Sequence, residues 1–410
     1  MQHELTWVPA WAPAEGADRA RALFARTFGH EGPAAGAWSA PGRVNWIGEH
    51  TDYNAGLCLP IALPHRTFVA LRPRADDLVR LVSANTDEPW EADLRDVAPG
   101  AVRGWGVYVA GAAWALRRAG HNVGGFDAAV DSCVPFGASL SSSAALESAV
   151  AVALDDVYGL GLASSPDGVT TLVAACVRAE NEIAGAPTGG LDQSVVDSSR
   201  TGQALLLDFS IDLARPESAT PVAFSLTAAG LSLLVIDTRA PHRLVDGQYA
   251  ERRASCERAA QLFGVAALRE ITPDALDDAL TGLTAQDPAG TLGRRVRHVV
   301  TETARTARFV DLERAGRYDE AGALMDASHA SLRDDYQVTV RETDLAVTAS
   351  RAAGAIGARM TDGGFGGSTI ALVPTGEIDV VAVATAFADA GLTAPAFLTA
   401  PASAPAGRDA

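Results

Sequence analysis

Residues Val134 to Leu146 read VPFGASLSSSAAL, and from Ala144 the chain continues as an unbroken helix-forming run, AALESAVAVALDDVYGL. Gly137 lets the main chain approach a ligand closely, and Ser141, Ser142 and Ser143 offer capping hydroxyls where that helix would begin. The stretch predicts a helix N-terminus at the serines, its unpaired N–H groups and positive dipole end turned on an anion, most readily a nucleotide phosphate. Small residues at a helix start also serve capping and close packing alone, so the loop by itself leaves both readings open. Phe126 to Val130 reads as a strand leading in, which makes the unit strand, loop, helix.

The chain contains no lysine; all 33 of its basic residues are arginine. A Walker A loop, which needs Gly-Lys-Ser/Thr after its glycines, is therefore excluded. The dinucleotide fingerprint G-x-G-x-x-G fails as well, because serines stand where its glycines would and no ribose-binding acid follows at the usual distance.

At 410 residues the chain has room for two or three domains, and a hydrophobic fraction of 48% with 20% charged residues describes a folded globular protein. A net charge of −17 argues against nucleic acid or an acidic membrane as partner. The start, MQHELTWVPAWAPAEG, lacks the basic and apolar regions of a secretory signal, and no apolar run is long and pure enough to span a membrane. Cys58, Cys133, Cys176 and Cys256 are widely spaced with no C-x-x-C pair, so a reduced, cytoplasmic, zinc-free protein is expected.

Upstream of the loop, PGRVNWIGEHTDYN (Pro41 to Asn54) is the densest polar cluster in the chain. Val44, Trp46 and Ile47 predict a short strand, after which Glu49, His50 and Asp52 are presented within four residues, a grouping suited to a polyhydroxyl ligand. A metal is disfavoured there, since neighbouring turn residues rarely converge on one ion and no second His follows at H-x-x-x-H spacing. Asp18 to Phe28 predicts an amphipathic helix, Arg66 to Arg72 and Val79 to Ser83 resemble paired strands, and Trp105 and Tyr108 fall three apart on a helix through Arg118. Downstream, Leu172 to Glu182 predicts a helix ending near Glu180; Pro187, Gly189 and Gly190 then break it and set Asp192 at the start of the next element, as a general base or a cap. Arg215 to Pro221 is a candidate boundary, giving domains at 1–215 and 216–410. The second half predicts a strand over Leu231 to Asp237, helices from about Tyr249, Leu292, Tyr318 and Thr343, and a frayed end from Ala394.

Taken together, PGRVNWIGEHTDYNAG, VPFGASLSSSAALE and MTDGGFGGS (Met360 to Ser368) resemble the signature regions of the GHMP small-molecule kinases, and the first resembles that of the galactokinase family. DGQYAERRASC, RRVRHVVTE and SHASLRDDYQVT extend the resemblance over nearly the whole chain. It implies a two-domain α+β GHMP kinase fold with the active site between the domains, transferring phosphate from ATP to the anomeric hydroxyl of D-galactose with Mg2+. By position, Arg43, Glu49, His50, Asp52, Gly189 and Tyr249 would line the sugar pocket and Asp192 would be the catalytic aspartate, served by Arg43. Glu180 and Ser143 would hold magnesium. Gly137, Ala138, Ser139, Leu140, Ser141, Ser142 and Ser143 would hold the triphosphate, and Ser83, Asn85, Trp105 and Tyr108 would face the adenine. The family tends to be monomeric, and a monomer is expected.

Thr188 and Leu191 stand where the family commonly has Cys and Met, Ser139 and Ala55 replace glycines, and Asp362 and Ser368 alter the third motif. Asp362 is expected to point away from the triphosphate or to hydrogen-bond the backbone. The alternatives are a kinase for N-acetylgalactosamine or arabinose, and a non-catalytic sugar or ATP sensor on the same fold.

Overall fold

The computed structural model describes residues 5–409 apart from 187, 214, 225, 241–244 and 377, so the break expected at Pro187 lies outside the described residues. The strands, in chain order, are β1 (Thr6–Trp7), β2 (Gly36–Asn45), β3 (Leu57–Cys58), β4 (Pro60–Pro73), β5 (Leu78–Ser83), β6 (Thr86–Asp93) and β7 (Phe126–Ser132), then β8 (Gln203–Asp208), β9 (Ala219–Ala223), β10 (Leu231–Asp237), β11 (Gly357–Met360), β12 (Ser368–Pro374), β13 (Ala396–Thr399) and β14 (Gly407–Asp409). The helices are α1 (Pro13–Phe28), α2 (Gly106–Arg118), α3 (Ser142–Val157), α4 (Pro166–Arg178) and α5 (Leu191–Ser198), followed by α6 (Val245–Phe263), α7 (Leu276–Leu283), α8 (Thr291–Arg314), α9 (Tyr318–Ser331), α10 (Arg341–Ala352) and α11 (Val380–Asp389). This is the α+β class that the sequence implies.

Among the described residues the strands form three sheets, ordered β14-β2-β4-β7-β5-β6, β1-β13-β10-β12-β11 and β3-β8-β9. Two expectations fail here. The strands Arg66 to Arg72 and Val79 to Ser83 do not pair with each other, because β7 lies between them, antiparallel to β4 and parallel to β5. The end from Ala394 is not frayed: β13 joins β10 and β1, and β14 pairs with β2. The two ends of the chain are thereby exchanged between the large sheets, which pair backbone groups that would otherwise be open edges.

Periodicity explains α1. Pro13 starts it, and Ala17, Ala20, Phe24 and Phe28 fall on one buried face against Phe68, Ala70 and Ala129 of the sheet. The helix begins at Pro13 rather than Asp18, since proline at a first helical position loses no hydrogen bond. In α3 the Ala-rich run Ala144, Ala145, Ala149, Ala151 and Ala153 is buried, and such small side chains allow close approach to β2 and β4. A core shared by the halves joins Val44, Trp46, Ile47, Leu59 and Ile61 to Leu231, Val235, Ile370 and Leu372, with Trp46 edge-on to Phe224 and Phe309 at 4.8 and 4.9 Å. Trp46 and Ile47 lie beyond the end of β2, which runs from Gly36 to Asn45 rather than as the short strand expected.

Helix α8 turns polar groups inward toward the turn after β2. Glu302, fully buried, accepts hydrogen bonds from the Gly48 amide at 3.0 Å and the Ser328 hydroxyl at 2.6 Å, and pairs with Arg305. Burial alone would raise its pKa, but the charges of Arg305, His298 and Arg359 overcome that and bring it down to about 2. A depressed carboxylate adds stability that is present above its unfolded pKa, near 4.5, and is lost as pH falls toward 2. Glu302→Gln should cost roughly 3–5 kcal/mol at neutral pH, the usual range for breaking a buried pair. Urea unfolding of both proteins should show that gap constant from pH 8 to 5 and narrowing below pH 4.5; a gap independent of pH would contradict the ionised pairing.

Candidate functional site

The loop after β7 and the strand β2 meet at a β-bulge. Register between β2 and β4 shifts between Pro41 and Arg43, and a Cβ on Gly42 would lie 2.6 Å from the Leu140 carbonyl. The missing side chain lets the loop dock, and the Arg43 amide donates to Leu140 O at 3.1 Å. The bulge aims the Arg43 side chain, itself buried, under the loop.

There the guanidinium gathers partners from three elements. Its Nε donates to Asp192 Oδ1 at 2.7 Å, its Nη2 lies 2.6 Å from that oxygen and pairs with Asp362 Oδ1, and its Nη1 donates to Ser139 O at 3.0 Å. Burial would weaken the arginine's hold on its proton, but the charges of Asp192, Asp362 and Glu49 raise its pKa above the ordinary value. The expectation for Asp362 is corrected: its carboxylate faces the site and pairs with Arg43, because a left-handed backbone (φ +73°) fixed by the Asp362 amide's 2.7 Å bond to Glu49 Oε1 directs it there.

Asp192 is the second residue of α5, with Gly190 (φ +95°) as the N-cap, so it does not cap the helix. Its second oxygen accepts from the Ser141 hydroxyl at 2.6 Å. Burial pushes its pKa above the ordinary carboxylate range; Arg43 pulls it down, Asp362 raises it and Ser141 lowers it.

The serines do not cap α3 either. Ser141 occupies the N-cap position in a left-handed conformation (φ +57°) with its hydroxyl turned to Asp192, while Ser143 Oγ donates to Glu180 Oε1 at 2.8 Å. With the side chains turned away, the first amides of α3 have no serine oxygen among them, which suits an incoming anion. Glu180 lies not on the α-helix expected but on a π-turn, Ala179–Ala184, that follows α4 and shifts its side chain toward α3. Gln193 bridges Glu180 Oε2 at 2.5 Å and Glu147 Oε2 at 3.3 Å. Burial, with repulsion from Asp192, raises Glu180 to about 7, and burial with the charge of Glu180 raises Glu147 well above the ordinary range.

A cavity of about 430 Å3 opens onto these groups, lined by Arg43, Glu49, His50, Asp52, Tyr108, Gly137, Ser139 to Ser143, Glu180, Asp192 and Tyr249, and by Asp362 and Gly363. A second, of about 310 Å3, is lined by Ser83, Asn85, Trp105, Phe136 and Leu146 and shares Tyr108, Ser142 and Ser143 with the first. Trp105 is the residue before α2 rather than within it, its Nε1 donating to Glu88 O at 2.9 Å. Two expected residues stand behind the lining. Ala138 is buried and its carbonyl accepts from Ser368 Oγ, and Gly189 backs Asp52, where a Cβ would come 2.2 Å from the carboxylate.

The pocket wall is itself tied together. His50 Nε2 lies 3.1 Å from the Gly363 carbonyl, so that nitrogen carries the proton and Nδ1 accepts from the Tyr53 hydroxyl at 2.8 Å. Glu49 Oε1 accepts from the Asp362 amide and from Thr361 Oγ1 at 3.2 Å, and Arg359 Nη1 lies 3.3 Å away. Asp52 is raised to about 7 by burial, which the charges of Asp192 and Glu49 reinforce. Sequence reasoning passed over Arg359, Gln193, Glu147 and Tyr53. An arginine inside the apolar strand GARM was the one available signal, since a buried guanidinium requires a buried acid.

The chain matches three family models: the galactokinase galactose-binding signature over residues 22–73, the GHMP kinases N terminal domain over 107–198, and the GHMP kinases C terminal over 309–388. It is 47% identical to the galactokinase of Streptomyces coelicolor over 91% of this chain and 93% of that protein, and 44% identical to the Mycobacterium tuberculosis galactokinase over 88% and 95%. The crystal structure of Lactococcus lactis galactokinase complexed with galactose superposes with a TM-score of 0.86 at 32% identity, covering 95% of this chain and 98% of that one. Mevalonate kinase of Methanococcus jannaschii, at 14% identity and a TM-score of 0.59, shares the fold. With sequence and fold matched over nearly its whole length, the chain belongs to the galactokinase family of the GHMP kinases.

Proposed function

We propose that this chain is a sugar 1-kinase that transfers the terminal phosphoryl group of ATP to the anomeric hydroxyl of D-galactose. One observation carries the reading: a half-buried aspartate, Asp192, whose two oxygens are fixed by Arg43 and Ser141, faces the cavity beside the open N-terminus of α3. Phosphoryl transfer asks for placement and charge neutralisation more than for covalent chemistry. Asp192 orients the acceptor hydroxyl and takes its proton; its raised pKa makes it a competent base, while Arg43 keeps it ionised until then. Glu49, Asp52 and Tyr249 bound the sugar. Their carboxylates accept from hydroxyls and repel an anionic uronate, which favours a neutral hexose. The loop Gly137 to Ser143 and the amides of α3 take the triphosphate, and the second cavity, with Trp105 and Tyr108, takes the base.

Magnesium belongs to the same reading. Glu180, Ser143 and Glu147 form an oxygen-rich group in which both carboxylates are buried and Glu147 Oε1 has no protein partner; burial, reinforced by neighbouring carboxylates, raises the pKa of both acids. That donor set fits a hard divalent cation, which keeps most of its ligands from water and phosphate. Bound with ATP, the ion would neutralise charge on the phosphates; Ser143 and Glu180 would hold it. We further infer a cytoplasmic monomer, consistent with four buried free cysteines, and two lobes that divide near 215/216 but exchange the terminal strands β1 and β14. Among the described residues no helix is long and apolar enough to cross a membrane.

The direct test is ADP release with ATP and magnesium against D-galactose, N-acetylgalactosamine, L-arabinose, D-glucose and no sugar. Turnover dependent on galactose is expected; turnover with another sugar alone would move the substrate, and nucleotide binding without any turnover would favour a sensor. Asp192→Asn should lower kcat by about 10²–10⁴-fold with the fold unchanged by circular dichroism. Gly189→Ala should raise KM for galactose about tenfold or more by displacing Asp52, leaving KM for ATP within twofold. An equal rise in both would contradict the assignment of Asp52 to the sugar.

A further inference from the structure

Asp362 is the one charged residue of the Gly-rich third motif, and its placement is imposed from both sides. Its amide is held by Glu49 and the next carbonyl, that of Gly363, by His50, so the two residues of the sugar turn clamp the backbone that carries the carboxylate. The φ of +73° is one that glycine adopts freely and other residues rarely do. The side chain remains 31% exposed to the cavity while the guanidinium it pairs with is buried. Four of the five N–H groups of Arg43 are then engaged: that of Nε and one of Nη2 by Asp192, the other of Nη2 by Asp362, and one of Nη1 by Ser139 O. The positive charge is thus covered, on its cavity side, by an acid of the protein itself.

Resting on the sugar-kinase reading above, we propose that Asp362 is a resident counter-anion on Arg43, occupying the place on the guanidinium that a phosphoryl group of substrate or product takes. Because the backbone is clamped, the exchange needs only rotation of the Asp362 side chain. Each phosphate-bearing ligand competes with this carboxylate, whereas a neutral sugar does not, so the device weakens the hold on the sugar phosphate product and favours its release.

Calorimetric titration without metal or nucleotide tests this, using galactose 1-phosphate and galactose as probes against wild type, Asp362→Asn and Asp362→Gly. Asparagine removes the charge and keeps the shape; glycine suits the backbone, so at least one variant retains the fold. Both should bind galactose 1-phosphate about tenfold more tightly than wild type, with galactose affinity within twofold. Unchanged or weaker binding of the sugar phosphate, or an equal gain for galactose, would overturn the proposal while leaving the kinase reading intact. A wild type that binds neither probe and turns over no sugar would overturn the kinase reading, and this proposal with it.

Discussion

The site is organised by the burial of one guanidinium. Taking Arg43 out of water is costly unless its charge and its N–H groups are met, and the protein meets them from separate parts of the chain: Asp192 on α5, Ser139 on the loop before α3, and Asp362 on the turn after β11. Each of those segments must therefore arrive at one point. The bulge at Gly42 lets the loop approach, Gly190 turns the chain so that α5 starts beneath it, and Glu49 fixes the backbone at Asp362. Four non-glycine residues lining the cavity, His50, Ser139, Ser141 and Asp362, hold positive φ, so convergence is bought with backbone strain concentrated where the ligand would lie.

Arg43 and Arg359 face several buried or half-buried acids. Asp52, Glu147, Glu180 and Asp192 all have raised pKa values, burial being the first cause in each. The interior of the site is short of positive charge; the N-terminus of α3 offers a dipole to a phosphate, and the proposed magnesium ion would bring positive charge with the nucleotide. This is why a chain without lysine and with a net charge of −17 can still be built around an anionic substrate. Charges spread over the surface are screened, whereas a dipole a few ångströms away in the cavity wall is screened far less.

Much of this was legible from side-chain order alone. The strand, loop and helix around Val134 to Leu146, and the acids of Glu49 to Asp52, are local in the sequence, and the choice between a cap and a phosphate site comes from the resemblance of three motifs to one family. What local patterns do not carry is direction and long-range pairing. Ser141 and Ser143 read as caps, yet both hydroxyls turn to acids 51 and 37 residues away. Asp362 read as pointing away from the triphosphate or bonding the backbone, yet a bond from its own amide to Glu49, 313 residues distant, directs its carboxylate to Arg43. Likewise β7 enters between two strands that look like neighbours, and the terminal strands are set by partners at the opposite end of the chain.

The central claim is that Asp192 and Arg43 work on the anomeric oxygen of the sugar, and the position of the new phosphate reports on it most directly. One round of reaction with ATP, magnesium and D-galactose, followed by 31P and 1H NMR of the product, should show phosphorus coupled to the anomeric proton of galactose and one ADP formed per sugar phosphate. Phosphate on the primary hydroxyl instead, or inorganic phosphate with the sugar unchanged, would contradict the account of what the site holds and where.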